Sequence, residues 1–506
     1  MLCSCIVERQ ENMRRQGILL PIFSIPSKYG IGTFGKESYR FVDFLKKAGQ
    51  SLWQILPLGP TGFGASPYQS FSTFAGNPNL IDLEMLIEDG LLTKEQCDSF
   101  DYGSDSHKVD YDKISIAKDG VLSLAWEKAK SLSVHKSKEY LEFLKENQYW
   151  LDDYALYMAL KIAFEGKCFI EWDDDVRLRK PAALKKYREE YEDVIGFYYF
   201  RQYLFDKQWT ALKKYANESG VEIVGDIPIY VAFDSADTWA HPELFLLDKK
   251  GEPVGVAGCP PDGFSTTGQL WGNPLYDWEY HKKTEYDWWM KRIAHSYKLY
   301  DVLRIDHFRG FDEFWFIPYG DETAQNGHWE KGPGYDFFAT MVKKLGKKQV
   351  IAEDLGFLTD SVIKLVKKTG YPGMRVLHFG FNSGTDNIYL PHNLEKNCVV
   401  YTGTHDNETT AGWIQTRQPY EKEYLMSYLN IHEDKELVWA LIRLAIASVA
   451  DTAIIPMQDY LMLDNSARIN TPSTVGGNWE WRMDHDALQD WLANIIYDLT
   501  RIYGRL

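Results

Sequence analysis

Leu303-Arg304-Ile305-Asp306-His307-Phe308-Arg309-Gly310 is the stretch on which the fold turns. The apolar run 302–305 has the pattern of a buried strand. It delivers Asp306 just where that pattern breaks, between two arginines and beside a histidine. A carboxylate at a strand end with cations on both sides is expected to stay ionised at neutral pH. A nucleophilic or charge-stabilising acid needs that state. A structural ion pair between Arg304 and a neighbouring acid accounts for these eight residues equally well, so the rest of the chain decides.

Seven further short apolar runs of the same type begin near Leu19, Leu52, Ile223, Val350, Arg375, Val399 and Ile454. Helical patterns separate most of the eight. Such alternation implies a parallel sheet, and eight repeats predict an α/β fold of the (β/α)8, or TIM, barrel type. A doubly wound sheet is the alternative. Residues 1–16 read as a flexible tail and 17–506 as one catalytic unit. A strongly charged, mainly helical insertion covers about 83–220, and a loop-rich insertion covers about 240–300. No tract rich in Pro, Gly or Ser divides the chain.

Composition narrows the function. The 506 residues carry a net charge of −16, which disfavours nucleic acid and an anionic membrane surface as partners. No apolar run approaches a membrane span. The six cysteines have neither zinc-site nor disulfide-scaffold spacing, which predicts a reducing cytoplasm. Seventeen tryptophans and an aromatic fraction of 15% supply many flat faces of the kind that suit sugar rings as well as cores. One motif points elsewhere. Gly30-Ile31-Gly32-Thr33-Phe34-Gly35 matches the dinucleotide fingerprint, yet four residues separate it from the preceding strand and no acid ends the next one. It reads as a glycine-rich strand-to-helix turn, and no cofactor is called for.

In a barrel the active site lies at the C-terminal ends of the strands. Four predicted strands lead to acids there: Asp226, Asp306, Glu353 and Asp406. Gathering carboxylates on one face costs mutual repulsion, so chemistry has to justify it. One use is a hard metal ion. The other is glycosyl transfer, with one ionised and one protonated carboxyl about 5 Å apart in retaining enzymes. The basic neighbours Arg304, His307, Arg309 and His405 count against a metal cage and favour sugar.

The pattern Arg-x-Asp, then Glu, then His-Asp at successive strand ends resembles the α-amylase clan. Within it the chain is similar to the amylomaltases, or 4-α-glucanotransferases. Leu56-Pro57-Leu58-Gly59-Pro60-Thr61-Gly62, Ser66-Pro67-Tyr68-Gln69-Ser70, Gly225-Asp226-Ile227-Pro228, His241-Pro242-Glu243, Trp271-Gly272-Asn273-Pro274, Ala352-Glu353-Asp354-Leu355-Gly356 and Thr404-His405-Asp406-Asn407 carry the resemblance.

The resemblance implies Asp306 as nucleophile, Glu353 as general acid and base, and Asp406 as a hydroxyl-holding carboxylate. It implies Tyr68 as a stacking platform, and Arg304 and His405 as groups that contact substrate or orient the acids. Asp226 becomes a supporting carboxylate, or only a brace for Arg304. Asp262, Gln269 and Trp271 fall on a loop over the cleft, Trp271 as a contact or as loop packing, and Asn470 is a further candidate. Donor and acceptor would be maltodextrins, with glucose as another acceptor, and no metal. An α-glucan hydrolase and a non-catalytic glucan-binding barrel remain open alternatives. Phe63 stands where many members have Tyr, and Asn382 where some have Asp. Too few residues follow the eighth strand for the C-terminal β-sandwich of other clan members.

Overall fold

The computed structural model describes residues 14–261, 265–356 and 358–506, the Phe63 side chain aside. Among the described residues twelve strands are formed: β1 Arg15–Leu19, β2 Leu52–Gln54, β3 Glu222–Ile227, β4 Gly255–Cys259, β5 Gln269–Pro274, β6 Val302–Ile305, β7 Glu313–Pro318, β8 His328–Lys331, β9 Val350–Ala352, β10 Gly373–Val376, β11 Cys398–Tyr401 and β12 Thr452–Pro456. Eight of them close a barrel in the order β1-β12-β11-β10-β9-β6-β3-β2. Every neighbouring pair is parallel.

Side chains along a strand alternate between its two faces, and here the alternation makes two separate cores. Leu19, Leu52, Val224, Val302, Ile351, Met374, Val376, Val399, Tyr401 and Ile454 fill the barrel interior. Their neighbours, among them Ile18, Trp53, Ile223, Leu303, Val350, Val400 and Ala453, face the surrounding helices. Asp226 lies two residues beyond Val224, Arg304 two beyond Val302, and Glu353 two beyond Ile351. The acids and the arginine are therefore the last rungs of the interior rows, set at the barrel mouth by parity.

The helical insertion lies between β2 and β3. Its long helices are Tyr111–Ser131, Lys138–Ala163 and Glu192–Glu218. Asp110 and Ser137 cap the first two through side-chain oxygens that accept from Lys113 N and Tyr140 N. The third buries Phe200, Leu204, Gln208 and Leu212 along one face. It also hooks the long loop after β2. The Gln202 amide donates to Gly76 O and accepts from Gly76 N, at 2.8 and 2.7 Å. A buried amide with both backbone partners satisfied fixes the loop without leaving a polar group unpaired.

Three expectations need correction. The first strand begins at Arg15, inside the expected tail, where Gln16 is buried and donates to the Tyr460 hydroxyl. The region 240–300 is not merely loops, because β4 and β5 lie within it. Together with β7 and β8 they form an antiparallel sheet ordered β5-β4-β7-β8. This sheet stands on the connections that run into and out of β6. Finally, Leu488, Trp491, Leu492, Ile495, Ile496 and Leu499 read in the sequence as one apolar helix face, yet Trp491 and Ile495 of helix Asp490–Ile502 are exposed, while Leu492, Ile496 and Leu499 are buried.

The glycine motif at 30–35 is a packing device. A Cβ on Gly32 would sit 1.8 Å from Ile22 O, and one on Gly35 2.1 Å from Asp82 Oδ2. Asp82 itself accepts from Thr33 Oγ1 at 2.6 Å. A carboxylate thus faces the start of helix Lys36–Lys47, where a dinucleotide fingerprint would present its pyrophosphate.

The barrel seam joins the chain's two ends. β1 pairs with β12 from Arg15 opposite Thr452 to Leu19 opposite Pro456. Arg505, 1% exposed, spans this seam. Its guanidinium donates to Arg15 O at 3.0 Å, Asp451 O at 3.2 Å, Ala450 O at 2.9 Å and Ile446 O at 2.7 Å.

Candidate active site

Arg304 is the hub of the site. It is 3% exposed and lies opposite Asp226 in the β3–β6 register. One guanidinium nitrogen donates to Asp226 Oδ2 and the other to Asp306 Oδ1, the latter at 3.0 Å. A planar fork can serve two carboxylates at once, which a lysine cannot do with the same geometry. Tyr68, from the loop after β2, donates its hydroxyl to the same Asp226 oxygen at 2.9 Å. Burial pushes the Asp226 carboxyl upward, and Arg304 is the main group opposing it. Burial also raises Asp306, Arg304 pulls it back, and the nearby Asp406 raises it again.

Glu353 follows β9, the strand next to β6. Its carboxylate is clasped by backbone donors: His307 N at 2.6 Å on Oε2 and Leu355 N at 2.9 Å on Oε1. His307 adopts the left-handed conformation, φ 49°. That turn lets the chain leave β6 and aim an N–H sideways at the next strand's acid. Burial, and then the charge of Asp306, raise the Glu353 pKa to about 7. A group poised near neutrality can both give and take a proton.

Asp406 lies beyond β11, with its side chain 41% exposed. Asn470 Nδ2 donates to its Oδ1 at 2.7 Å, and His405 Nε2 is 3.4 Å from its Oδ2. The His405 ring is buried and stacked on Tyr68, with centroids 5.5 Å apart at 15°. Its Nε2 lies 2.9 Å from the Tyr68 hydroxyl. Burial lowers the pKa of His405 to about 4 and that of His307 to about 3, so both rings are neutral at pH 7.

The cationic setting expected around Asp306 is thereby corrected. Arg304 alone of the four basic neighbours acts on Asp306 as a charge. Arg309 stacks on Trp329, 4.0 Å from its centroid, and its charge neighbours are Cys259, Glu313, Asp312 and Tyr230.

The antiparallel sheet brings Trp271 to the site. Its indole meets the His307 ring edge-on at 4.8 Å, and its Nε1 donates to Gln269 Oε1 at 3.0 Å. Asp262 lies outside the described residues. Asn382 is exposed, 3.4 Å from Asn387 Nδ2 and clear of the acids' hydrogen bonds.

Three neighbours went unread in the sequence. Trp479 leans on both Tyr68 and His405, at 5.8 and 6.0 Å. Tyr230 lies 6.4 Å from both Trp271 and His307. Arg468 donates to Asp406 O at 2.8 Å. An aromatic closing the turn Gly476-Gly477-Asn478 is the one signal that could have flagged Trp479. Among the described residues, no cluster of three or more His, Cys, Asp or Glu side chains is arranged to hold a metal ion. No helix among them is long and apolar enough to cross a membrane.

Four carboxylates and one bridging arginine at the mouth of a (β/α)8 barrel, with aromatic rings on both sides, are the setting of a sugar-processing enzyme. A family model described as 4-alpha-glucanotransferase matches residues 20–488, and the chain belongs to that family. It is 50% identical to a 4-alpha-glucanotransferase of Clostridium butyricum over 96% of this chain and 99% of that one. It is 45% identical to one from Thermus thermophilus over 93% and 95%. The amylomaltase of Streptococcus agalactiae, solved with acarbose, superposes with a TM-score of 0.94 at 42% identity, covering 97% and 99% of the two chains. The enzyme is thus a glucanotransferase of the amylomaltase, or disproportionating, kind, and its activity is transfer of α-1,4-glucan segments.

Proposed function

We propose that transfer proceeds by a retaining double displacement on Asp306 and Glu353. The Asp306 carboxylate attacks the anomeric carbon of the donor while the protonated Glu353 gives its proton to the glycosidic oxygen. The bond to the leaving glucan breaks and a glycosyl ester of Asp306 forms. Glu353, now ionised, takes the proton of an incoming 4-hydroxyl. That oxygen attacks the anomeric carbon and Asp306 leaves as a carboxylate. The carrying observation is the division of environments. Asp306 shares Arg304 with Asp226, whereas Glu353 has backbone N–H groups and a pKa near 7. Environments that separate two carboxyls into an ionised and a protonated partner mark the acid and base roles.

Asp406, steadied by Asn470, accepts from ring hydroxyls of the bound sugar. Tyr68 is its stacking platform, and its hydroxyl ties that platform to Asp226. His405, neutral, donates to a hydroxyl or accepts from one. Gln269 and Trp271 form a roof that holds the acceptor and excludes water, which favours transfer over hydrolysis. Donor and acceptor are maltodextrins, with glucose as the smallest acceptor. Acarbose, the ligand of the Streptococcus agalactiae relative, is expected to occupy the same cleft.

Incubation with maltotriose alone tests the reading. A ladder of longer maltodextrins plus glucose is expected from the native enzyme and is absent from Asp306→Asn. A ladder that persists in Asp306→Asn overturns the nucleophile assignment. Maltose and glucose without elongation overturn the transfer reading.

A further inference from the structure

A second cavity, of about 240 Å³, opens on the flank of the barrel where helix Lys138–Ala163 of the insertion meets helices Ala236–Ala240 and Asp287–Leu299. None of Asp306, Glu353 and Asp406 lines it. Its walls are built from two kinds of group. Phe74, Tyr149, Trp150 and Trp288 supply aromatic surface. Phe74 is stacked on Trp150 and set edge-on to both Tyr149 and Trp288. Asp153, Asp237, Glu243 and Asp287 supply oxygen acceptors.

The acids do not make it a cation site, because each already has a partner. Asp153 is 2.7 Å from Arg179, Asp287 is 2.7 Å from Lys291, and Glu243 is 3.4 Å from His241. Asp237 accepts from Thr73 N at 2.8 Å. Arg179 and Lys291 balance the charges of Asp153 and Asp287, Glu243 and Asp237 are held by His241 and a backbone N–H, and all four keep spare lone pairs that accept hydrogen bonds. Trp288, 8% exposed, adds an indole N–H that is buried beside the cavity without a hydrogen-bond partner. Apolar ring faces, hydrogen-bond acceptors already held in place and a spare donor suit a neutral polyhydroxyl ring, which presents C–H faces and a rim of hydroxyls. An inorganic anion would face mostly oxygen, and a purely apolar ligand would strand the paired carboxylates.

We propose that this cavity is a second saccharide-binding site, which takes one or two glucosyl rings of an α-glucan chain away from the catalytic cleft. The choice of sugar rests on the glucanotransferase reading. The site anchors long substrates. It borders the active-site loop directly, since Ser72 and Phe74 belong to the loop that carries Tyr68, and Thr73 N is fastened to Asp237.

Calorimetric titration with maltoheptaose tests the proposal, in an Asp306→Asn background that prevents turnover. Two classes of site are expected. Tyr149→Ala, at a residue 42% exposed, is expected to weaken one class about tenfold and spare the other. The conservative Glu243→Gln is expected to act in the same direction. In the otherwise native enzyme, Tyr149→Ala is expected to leave maltotriose disproportionation unchanged and to raise KM for long amylose. One class of site only, unaffected by either substitution, overturns the proposal. Loss of the maltotriose ladder from the native enzyme would refute the transferase reading instead, so the two failures are distinguishable.

Discussion

Glu353→Gln is expected to abolish transfer and yet to make the protein relatively more stable as the pH rises. In the native enzyme burial and Asp306 lift the Glu353 pKa from 4.5 to about 7. A carboxyl whose folded pKa lies above its unfolded value favours the fold fully below the unfolded value. That contribution is lost as the pH rises through the folded one. The interval is about 2.5 units, worth at most about 3 kcal/mol, and the wetted side of the cleft reduces it. Glutamine does not titrate. It also has one carbonyl oxygen for the two N–H groups of His307 and Leu355, a cost of about 1–3 kcal/mol that is the same at every pH. That fixed cost cancels when one compares pH values. For 506 residues, 1 kcal/mol corresponds to about 1 °C in Tm. The difference in Tm, variant minus native, is therefore expected to rise by up to about 3 °C between pH 4.5 and pH 8, measured by scanning calorimetry without ligand. A difference that stays constant over that range refutes the assignment of a raised pKa to Glu353.

Other consequences are open to direct measurement. Initial rates of maltotriose disproportionation are expected to fall above about pH 7 as Glu353 loses its proton. They are expected to fall again on the acid side as Asp306, itself raised above the ordinary aspartate value, becomes protonated. A rate independent of pH from 6 to 9 contradicts the first limb. Tyr68→Phe keeps the ring and removes the hydroxyl shared by Asp226 and His405, so kcat/KM is expected to drop about tenfold with the fold intact. Arg304→Lys cannot bridge both carboxylates. It is expected to cost about 3–5 kcal/mol of stability and to leave transfer nearly undetectable, and native-like melting of this variant would contradict the hub role. Gly35→Ala places a methyl against Asp82 and is expected to cost about 1–3 kcal/mol in denaturant unfolding, with kcat unchanged.

Much of the barrel is legible in the sequence, since each of its strands is a short apolar run between helical patterns. The ends of those runs are less legible. Interior and helix-facing residues are both apolar, so no alternation marks where β1 or β2 stops, and mostly apolar sequence continues past Leu19 to Ile25 and past Gln54 to Leu58. Asp226, Asp306 and Glu353 stand out because each follows an apolar run at or near a strand end, whereas Asp406 comes five residues after β11 and is marked by His405 beside it. Arg309 misleads for a geometric reason: the left-handed turn at His307 carries the chain away from Asp306, so adjacency in sequence does not become adjacency in space. His307 and His405 mislead because their neutrality comes from burial. The antiparallel sheet is hidden by composition. Gly255-Val256-Ala257-Gly258-Cys259 has only Val256 among a strand's usual residues, and one of its two pairing partners, β7, lies beyond β6. Trp479 is lost among seventeen tryptophans, most of which pack.

The seam has a consequence for how the protein is made. β1 leaves the ribosome long before its partner β12, which follows more than four hundred residues later. Until β12 arrives, β1 keeps one unpaired edge that other chains can capture. Closure is accordingly a late, long-range event, of the kind that slows folding. Arg505 is the latch on that event, for it reads the carbonyls of both seam strands' N-terminal ends and emerges after both of them. Nascent chains arrested before β12 are expected to need chaperone protection of an open sheet edge, and removal of Arg505 to turn a closed ring into a protein prone to edge-to-edge association.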